Sequence, residues 1–110
     1  MEQENNSLTV SFCVIARNEE QTLPALFADL LAQTYPHSLM EVLLVDSAST
    51  DGTKACMEAF AREHAGEFSG IQVLDNPGRT LPCGWNVALR VFSGDVILRV
   101  DAHANIPPEF

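Results

Sequence analysis

The chain has 110 residues, enough for one compact domain and too few for two, and 46% of them are hydrophobic, so a core can form without disulfide staples. Fifteen acidic against six basic residues give a formal charge of -9. That balance excludes a general nucleic-acid binder, because such binding depends on Lys and Arg neutralising phosphates. Cys13, Cys56 and Cys83 are far apart, odd in number and without a CxxC pair, a pattern that suggests neither a disulfide framework nor a zinc site and fits a reducing compartment. The polar start MEQENNS has no positively charged, apolar leader, and no apolar run approaches the ~18 residues of a membrane span. The expected location is the cytoplasm, or the cytoplasmic face of a membrane if helices follow downstream, with residues 1–7 disordered.

Residues 8–16 (LTVSFCVIA) form a near-continuous apolar and β-branched run, the mark of a strand covered on both faces. Asn18 then precedes Glu19, Glu20 and Gln21, which suit a first helical turn, and Leu23, Leu26, Phe27, Leu30 and Leu31 recur at helical spacing, so a helix is predicted over 20–33. Pro36 ends it, and MEVLLVD at 40–46 is a second buried strand. SASTDG is a turn whose Ser49 or Thr50 can cap a helix carrying Ala55, Ala59 and Phe60 and fading near Gly66. A short strand over 71–74, a loop at Asn76, Pro77 and Gly78, a helix over 81–92 and a fourth strand over 95–100 complete the chain. The order βαβαβαβ implies an α/β fold, a Rossmann-like parallel sheet with helices on both faces.

Ligands of such a sheet bind beyond the carboxyl ends of its strands. Four polar clusters fall there: Ala16, Arg17, Asn18 and Glu19; Asp46 and Ser47; Asp75, Asn76 and Arg79; Asp101, Ala102 and His103. Each also has an ordinary role. Asn18 can cap the first helix, Asp46 can cap the following turn, and Ser49, Thr50, Asp51 and Gly52 suit turn and helix-start chemistry. Arg79 can be a solvated loop charge, Trp85 and Asn86 helix-packing residues, Asp101 a simple strand end and His103 a surface histidine. Asp101 and His103 are two apart at a strand end and so point to one side, where both could meet one divalent cation. Carboxylate with imidazole suits Mn2+ better than Mg2+. Such a metal, helped by Arg17 or Arg79, would screen a diphosphate and stabilise it as a leaving group.

ARNEE after the first strand, VDSASTDGT after the second, NPGRT with a following GWNVAL helix, and GDVILRVDAHA at the fourth together resemble the family 2 glycosyltransferases of GT-A fold, in the flavour of bacterial succinoglycan-type exopolysaccharide enzymes. The resemblance covers residues 10–104. It implies a donor-binding region for a nucleoside-diphosphate sugar, a UDP-sugar above all, with transfer to a glycan or lipid-linked acceptor and inversion at the anomeric carbon. It implies that Ala16, Arg17, Asn18 and Glu19 line the nucleotide pocket, that Asp46 hydrogen-bonds the base, and that Arg79 and the helix with Gly84 and Asn86 approach the donor. Asp101, Ala102 and His103 take the Asp-x-Asp position, with Asp101 on ribose and metal and His103 on metal. Ile15 and Arg17 depart from the family's Pro-Ala-Tyr-Asn-Glu pattern, Ser47 and Ala48 replace Asp-Gly, and His103 replaces an acid, which implies metal affinity that weakens below about pH 6.5.

The resemblance also implies a chain truncated after the metal motif, with the acceptor half and general base elsewhere, inactive alone, and self-associating through the exposed edge of the fourth strand. No catalytic residue is identified within residues 1–110. The competing expectation is a non-catalytic nucleotide- or protein-binding α/β module. A dinucleotide oxidoreductase half would need GxGxxG after the first strand, and a receiver would need an acidic pair at that strand's end.

Overall fold

The computed structural model describes residues 8–101 and carries the predicted elements in the predicted order: β1 (Val10–Ala16), α1 (Leu23–Leu31), β2 (Met40–Asp46), α2 (Thr53–Glu63), β3 (Gly70–Asp75), α3 (Leu81–Val91) and β4 (Val96–Asp101), with a single 3-10 turn at His37–Leu39 before β2. The strands form one sheet in the order β3-β2-β1-β4, and every pairing is parallel. The chain therefore steps outward from β1 to β3 and returns to the far side of β1 for β4. That reversal makes the cleft between the carboxyl ends of β1 and β4 the topological switch point.

Burial explains why β1 and β2 are apolar throughout. Phe12, Val14 and Ala16 of β1 and Met40, Val42 and Leu44 of β2 face Leu23, Leu26, Phe27 and Leu30 of α1 and Met57 and Phe60 of α2. Cys13, Ile15, Leu43 and Val45 face the opposite way, against Trp85 and Ala88 of α3. A strand with helices on both faces has no solvent side, and each of its fully buried Val, Leu or Ile side chains contributes roughly 1.5–3 kcal/mol. Phe27 and Phe60 stack at 4.2 Å between centroids and close the seam between α1 and α2. Among the described residues one face thus carries two helices and the other α3, and Leu89 and Val91 of α3 and Val96 of β4 are exposed at 40%, 37% and 39%.

Helix starts differ from the prediction. α1 begins at Leu23 rather than residue 20, with Thr22 at the N-cap position, so Asn18 caps no helix. α2 begins at Thr53 after Gly52, and neither Ser49 nor Thr50 caps it. The polar residues expected in those first turns are bonded between loops instead. Only α3 has a side-chain cap, where Thr80 accepts from the Cys83 N–H at 3.3 Å.

Candidate functional site

The carboxyl ends of the strands stand level. Ala16 pairs with Asp46, Asp46 with Asp75, and Ile15 with Asp101 on the other side. Polar groups that lie thirty residues apart in sequence are brought to one edge in this way.

The loops after β1 and β2 are tied to each other. Asn18 N–H donates to Ser49 Oγ at 2.9 Å, and Asn18 Oδ1 accepts from Thr50 N–H at 2.8 Å. Glu19 N–H donates to Thr53 Oγ1 at 2.9 Å, and Glu20 Oε1 accepts from Gly52 N–H at 2.9 Å. The Thr53 hydroxyl and backbone N–H hold the Asp51 carboxyl below its usual range. Asn18, Ala48 and Arg79 have φ of 56°, 57° and 67°, so each of the three loops that follow β1, β2 and β3 contains one left-handed residue. A non-glycine residue there costs roughly 1–2 kcal/mol, which the cross-loop bonds offset. Asn18 and Glu19 thus reach the expected edge, with the Asn18 side chain engaged in shaping the loop. Arg17 and Arg79 are exposed on it.

Asp46 ends β2 at 4% exposure, and its Oδ1 is buried without a hydrogen-bond partner among the described residues. An unpartnered buried carboxylate oxygen costs on the order of 1–3 kcal/mol, the kind of cost binding sites carry until a ligand arrives. The Asp46 residue lines a cavity of about 350 Å3 together with Ala48, Asp75, Asn76 and Pro77. A second cavity of about 220 Å3 shares the Asn76–Pro77 wall and continues to Asn86 and Arg90 of α3. Lys54 reaches across from α2 to Asp75 Oδ1 at 2.9 Å, and the Asp75 carboxylate raises its pKa.

Asn76, which the sequence places in the polar cluster after the third strand without assigning it a donor-site role, is 1% exposed. Its Nδ2 donates to Ser47 Oγ at 3.0 Å and to the Thr80 carbonyl at 2.9 Å, and its N–H donates to the Asp46 carbonyl at 2.8 Å. It therefore joins the ends of β2, β3 and α3. The signal that could have found it is an Asn directly after an apolar strand and before Pro-Gly, where a side-chain amide completes a turn. Gly84, on the helix that the resemblance brings toward the donor, is closely packed: a Cβ there would stand 2.8 Å from Ile15 Cγ2 and 3.0 Å from Asn76 Nδ2.

Asp101 closes β4 beside Ile15. Ala102 and His103 lie outside the described residues. Among the described residues no cluster of three His, Cys, Asp or Glu side chains could hold a metal ion. The donor chemistry still suits one: a carboxylate residue ends the strand beside the switch point, an imidazole follows two residues later, and a bound diphosphate would complete the shell with oxygen.

A four-stranded parallel sheet that reverses at β1, with helices on both faces, is a doubly wound α/β domain. The model of glycosyl transferase family 2 matches residues 11–110, and the chain belongs to that family. It is 32% identical over 108 residues to the undecaprenyl-phosphate 4-deoxy-4-formamido-L-arabinose transferase of Yersinia pestis (strain Pestoides F), covering 91% of this chain and 30% of that one. Mannosyltransferase PcManGT from Pyrobaculum calidifontis, solved with GDP-Man and Mn2+, superposes with a TM-score of 0.83 at 30% identity, over 91% of this chain and 29% of that one. TarS 1-349 of S. aureus, solved with UDP, gives a TM-score of 0.74 at 27% identity, over 93% of this chain and 29% of that one. The fold is that of the GT-A glycosyltransferases, and the chain spans less than a third of the length of these relatives.

Proposed function

We propose that this chain is the donor-binding part of a glycosyltransferase that moves a sugar from a UDP-sugar to a glycan or lipid-linked acceptor with inversion. The observation that carries the reading is Asp46 at the end of β2, which lines a cavity of about 350 Å3 and whose buried Oδ1 has no hydrogen-bond partner among the described residues. A carboxylate there can accept the imide N–H of uracil. The UDP and UDP-GlcNAc complexes of TarS support uracil, while the GDP-Man complex of PcManGT makes guanine, whose two adjacent donors a carboxylate also accepts, the competing base.

In this reading Asp46 accepts the base N–H, and Asn76, by bonding Ser47 and the Asp46 carbonyl, holds the strand end that presents it. Asp101, at the end of β4 on the far side of β1, meets the ribose. Arg17 and Arg79, both exposed on the edge, supply positive charge to a diphosphate that this acidic chain would otherwise repel. Asp101 and His103 would hold a divalent metal, Mn2+ or Mg2+, which when bound neutralises charge on the departing nucleoside diphosphate. Deprotonating an acceptor hydroxyl needs a base within hydrogen-bond reach, and no residue of this chain is assigned that role. The chain alone binds the donor and does not turn it over. The free thiols of Cys13, Cys56 and Cys83 support a reducing compartment, the cytoplasm or the cytoplasmic face of a membrane. No described helix is long and apolar enough to cross a membrane.

Calorimetric titration of UDP with and without Mn2+, on the wild type and on Asp46→Ala and Asp101→Ala, tests the reading. The expected result is binding strengthened by Mn2+, abolished by Asp46→Ala, and stripped of its Mn2+ dependence by Asp101→Ala. Unaltered binding in Asp46→Ala would overturn it.

A further inference from the structure

Glu41 is the second residue of β2, 5% exposed, at the end of the sheet opposite the site. Its carboxylate accepts three hydrogen bonds. Oε1 takes Ser11 Oγ at 2.7 Å and Ser93 N–H at 2.9 Å, and Oε2 takes Ser93 Oγ at 3.0 Å. Ser11 Oγ in turn accepts from Gly94 N–H at 3.0 Å. Asp95 is clasped to Thr9 in both directions: its N–H donates to the Thr9 carbonyl at 2.7 Å, and Thr9 N–H donates to Asp95 Oδ2 at 3.0 Å. A Cβ on Gly94 would stand 2.5 Å from Ser11 Oγ and 2.9 Å from the Thr9 carbonyl, so the turn sits directly on β1. Three consecutive residues before β4 are pinned to the starts of β1 and β2, two of them through the Glu41–Ser11 pair.

β4 needs such a fixture. Among the described residues it is an edge strand bordered by β1 alone, and its run Val96-Ile97-Leu98 offers similar apolar side chains to either register. A slip of one residue exchanges the faces of a whole strand, and edge strands are where register is least determined. β4 is also the strand that ends at Asp101. We infer that Glu41 is a positioning residue of the donor site: by anchoring the turn at 93–95 it sets the register of β4 on β1, and with it the level at which Asp101 leaves the sheet beside Ile15. The inference rests on the reading of Asp101 as a donor-site acid.

Four forms of the 110-residue chain test it. Glu41→Gln keeps one carbonyl oxygen for Ser11 and the Ser93 N–H and offers its amide to Ser93 Oγ, so it preserves the clamp and removes the charge. Glu41→Met removes every acceptor at similar volume. Gly94→Ala displaces the same turn from the other side without touching the buried acid, and serves if Glu41→Met does not fold. Two quantities are read on these variants and the wild type: amide hydrogen exchange along β4 compared with β2 and β3, and UDP affinity with and without Mn2+. In Glu41→Met and Gly94→Ala, β4 amides should exchange roughly tenfold faster while β2 and β3 amides hold, and the Mn2+-dependent gain in UDP affinity should fall about tenfold, with a smaller fall in Mn2+-free affinity through the ribose contact of Asp101. Glu41→Gln should restore both to within about twofold of wild type. A general loss of packing would instead speed exchange in all strands and weaken both affinities equally, and that outcome overturns the inference. So do variants in which β4 protection and the Mn2+ gain match wild type. A wild type with no Mn2+ gain, in which Gly94→Ala still loosens β4, overturns the reading of Asp101 and the positioning role with it, and is told apart by the exchange data.

Discussion

Asn76 Nδ2 donates to Ser47 Oγ at 3.0 Å, and this bond holds the ends of β3 and β2 together directly beside the one buried side-chain oxygen that has no partner among the described residues, Asp46 Oδ1. Stability and binding are therefore separable within a few ångströms. Asp46→Ala removes an unsatisfied buried acceptor and should leave stability unchanged or raise it by up to about 2 kcal/mol, while UDP binding is lost. Asn76→Ala breaks two side-chain bonds and leaves a void, and should destabilise by about 2–3 kcal/mol. Urea denaturation beside calorimetry of both variants checks the contrast, and a strongly destabilised Asp46→Ala would show that the carboxylate is structural.

Asn18 combines a left-handed backbone at φ 56° with a side-chain oxygen accepting Thr50 N–H at 2.8 Å. Asn18→Ala loses the bond and keeps the strain, for an expected loss of about 2 kcal/mol, whereas Asn18→Gly relieves the strain and should lose only about 1 kcal/mol. Equal losses in chemical denaturation would mean that the backbone conformation contributes nothing to the difference.

Gly84 lies inside α3, where alanine would ordinarily gain about 1 kcal/mol of helix propensity. The added methyl would stand 2.8 Å from Ile15 Cγ2 and 3.0 Å from Asn76 Nδ2. Overpacking should win, and Gly84→Ala is expected to destabilise by about 1–3 kcal/mol and to weaken UDP binding through Asn76. A rise in melting temperature would refute this.

Burial pushes the Cys13 thiol up from 9.0 to about 12, against a smaller opposing pull from Arg99. The folded state then keeps a proton that the unfolded chain releases first. Stability from this group is intact below about pH 9 and falls as pH rises toward 12, with a slope approaching about 1.4 kcal/mol per pH unit. Cys13→Ala should be the weaker protein at pH 8 and lose less than wild type between pH 8 and 10.5. Thiol labelling at pH 8 should modify exposed Cys83 first and Cys13 only on unfolding.

Exposed Val96 opens β4, which among the described residues has β1 as its one neighbour in the sheet. Self-association of this chain along β4 is the expected behaviour, and Val96→Lys should reduce it. Light scattering at tens of micromolar that shows wild type and variant equally monomeric would sink the idea.

Elements were legible in the sequence wherever burial alone decides them. The runs over 10–16 and 40–46 are apolar without alternation because both faces are covered, and 3.6-residue spacing exposed all three helices. Helix starts were not legible. Asn18, Ser49 and Thr50 have the residue types of caps, and each instead bonds a loop more than thirty positions away. A short polar side chain can satisfy either partner, and local sequence does not say which lies within reach.

The amino-acid sequence by itself determined the order of strands and helices, the parallel arrangement and the edge at which the polar strand ends gather, because periodicity and crossover length are local properties of the chain. Tertiary structure decided the rest. That β4 lies beside β1 rather than β3, that Asp46 keeps an unpaired oxygen, that Asn76 is buried and that Glu41 holds the far turn all depend on which distant groups meet once the sheet is assembled. A hydrogen bond acts over about 3 Å, so its partners are selected by packing in three dimensions and not by neighbours in sequence.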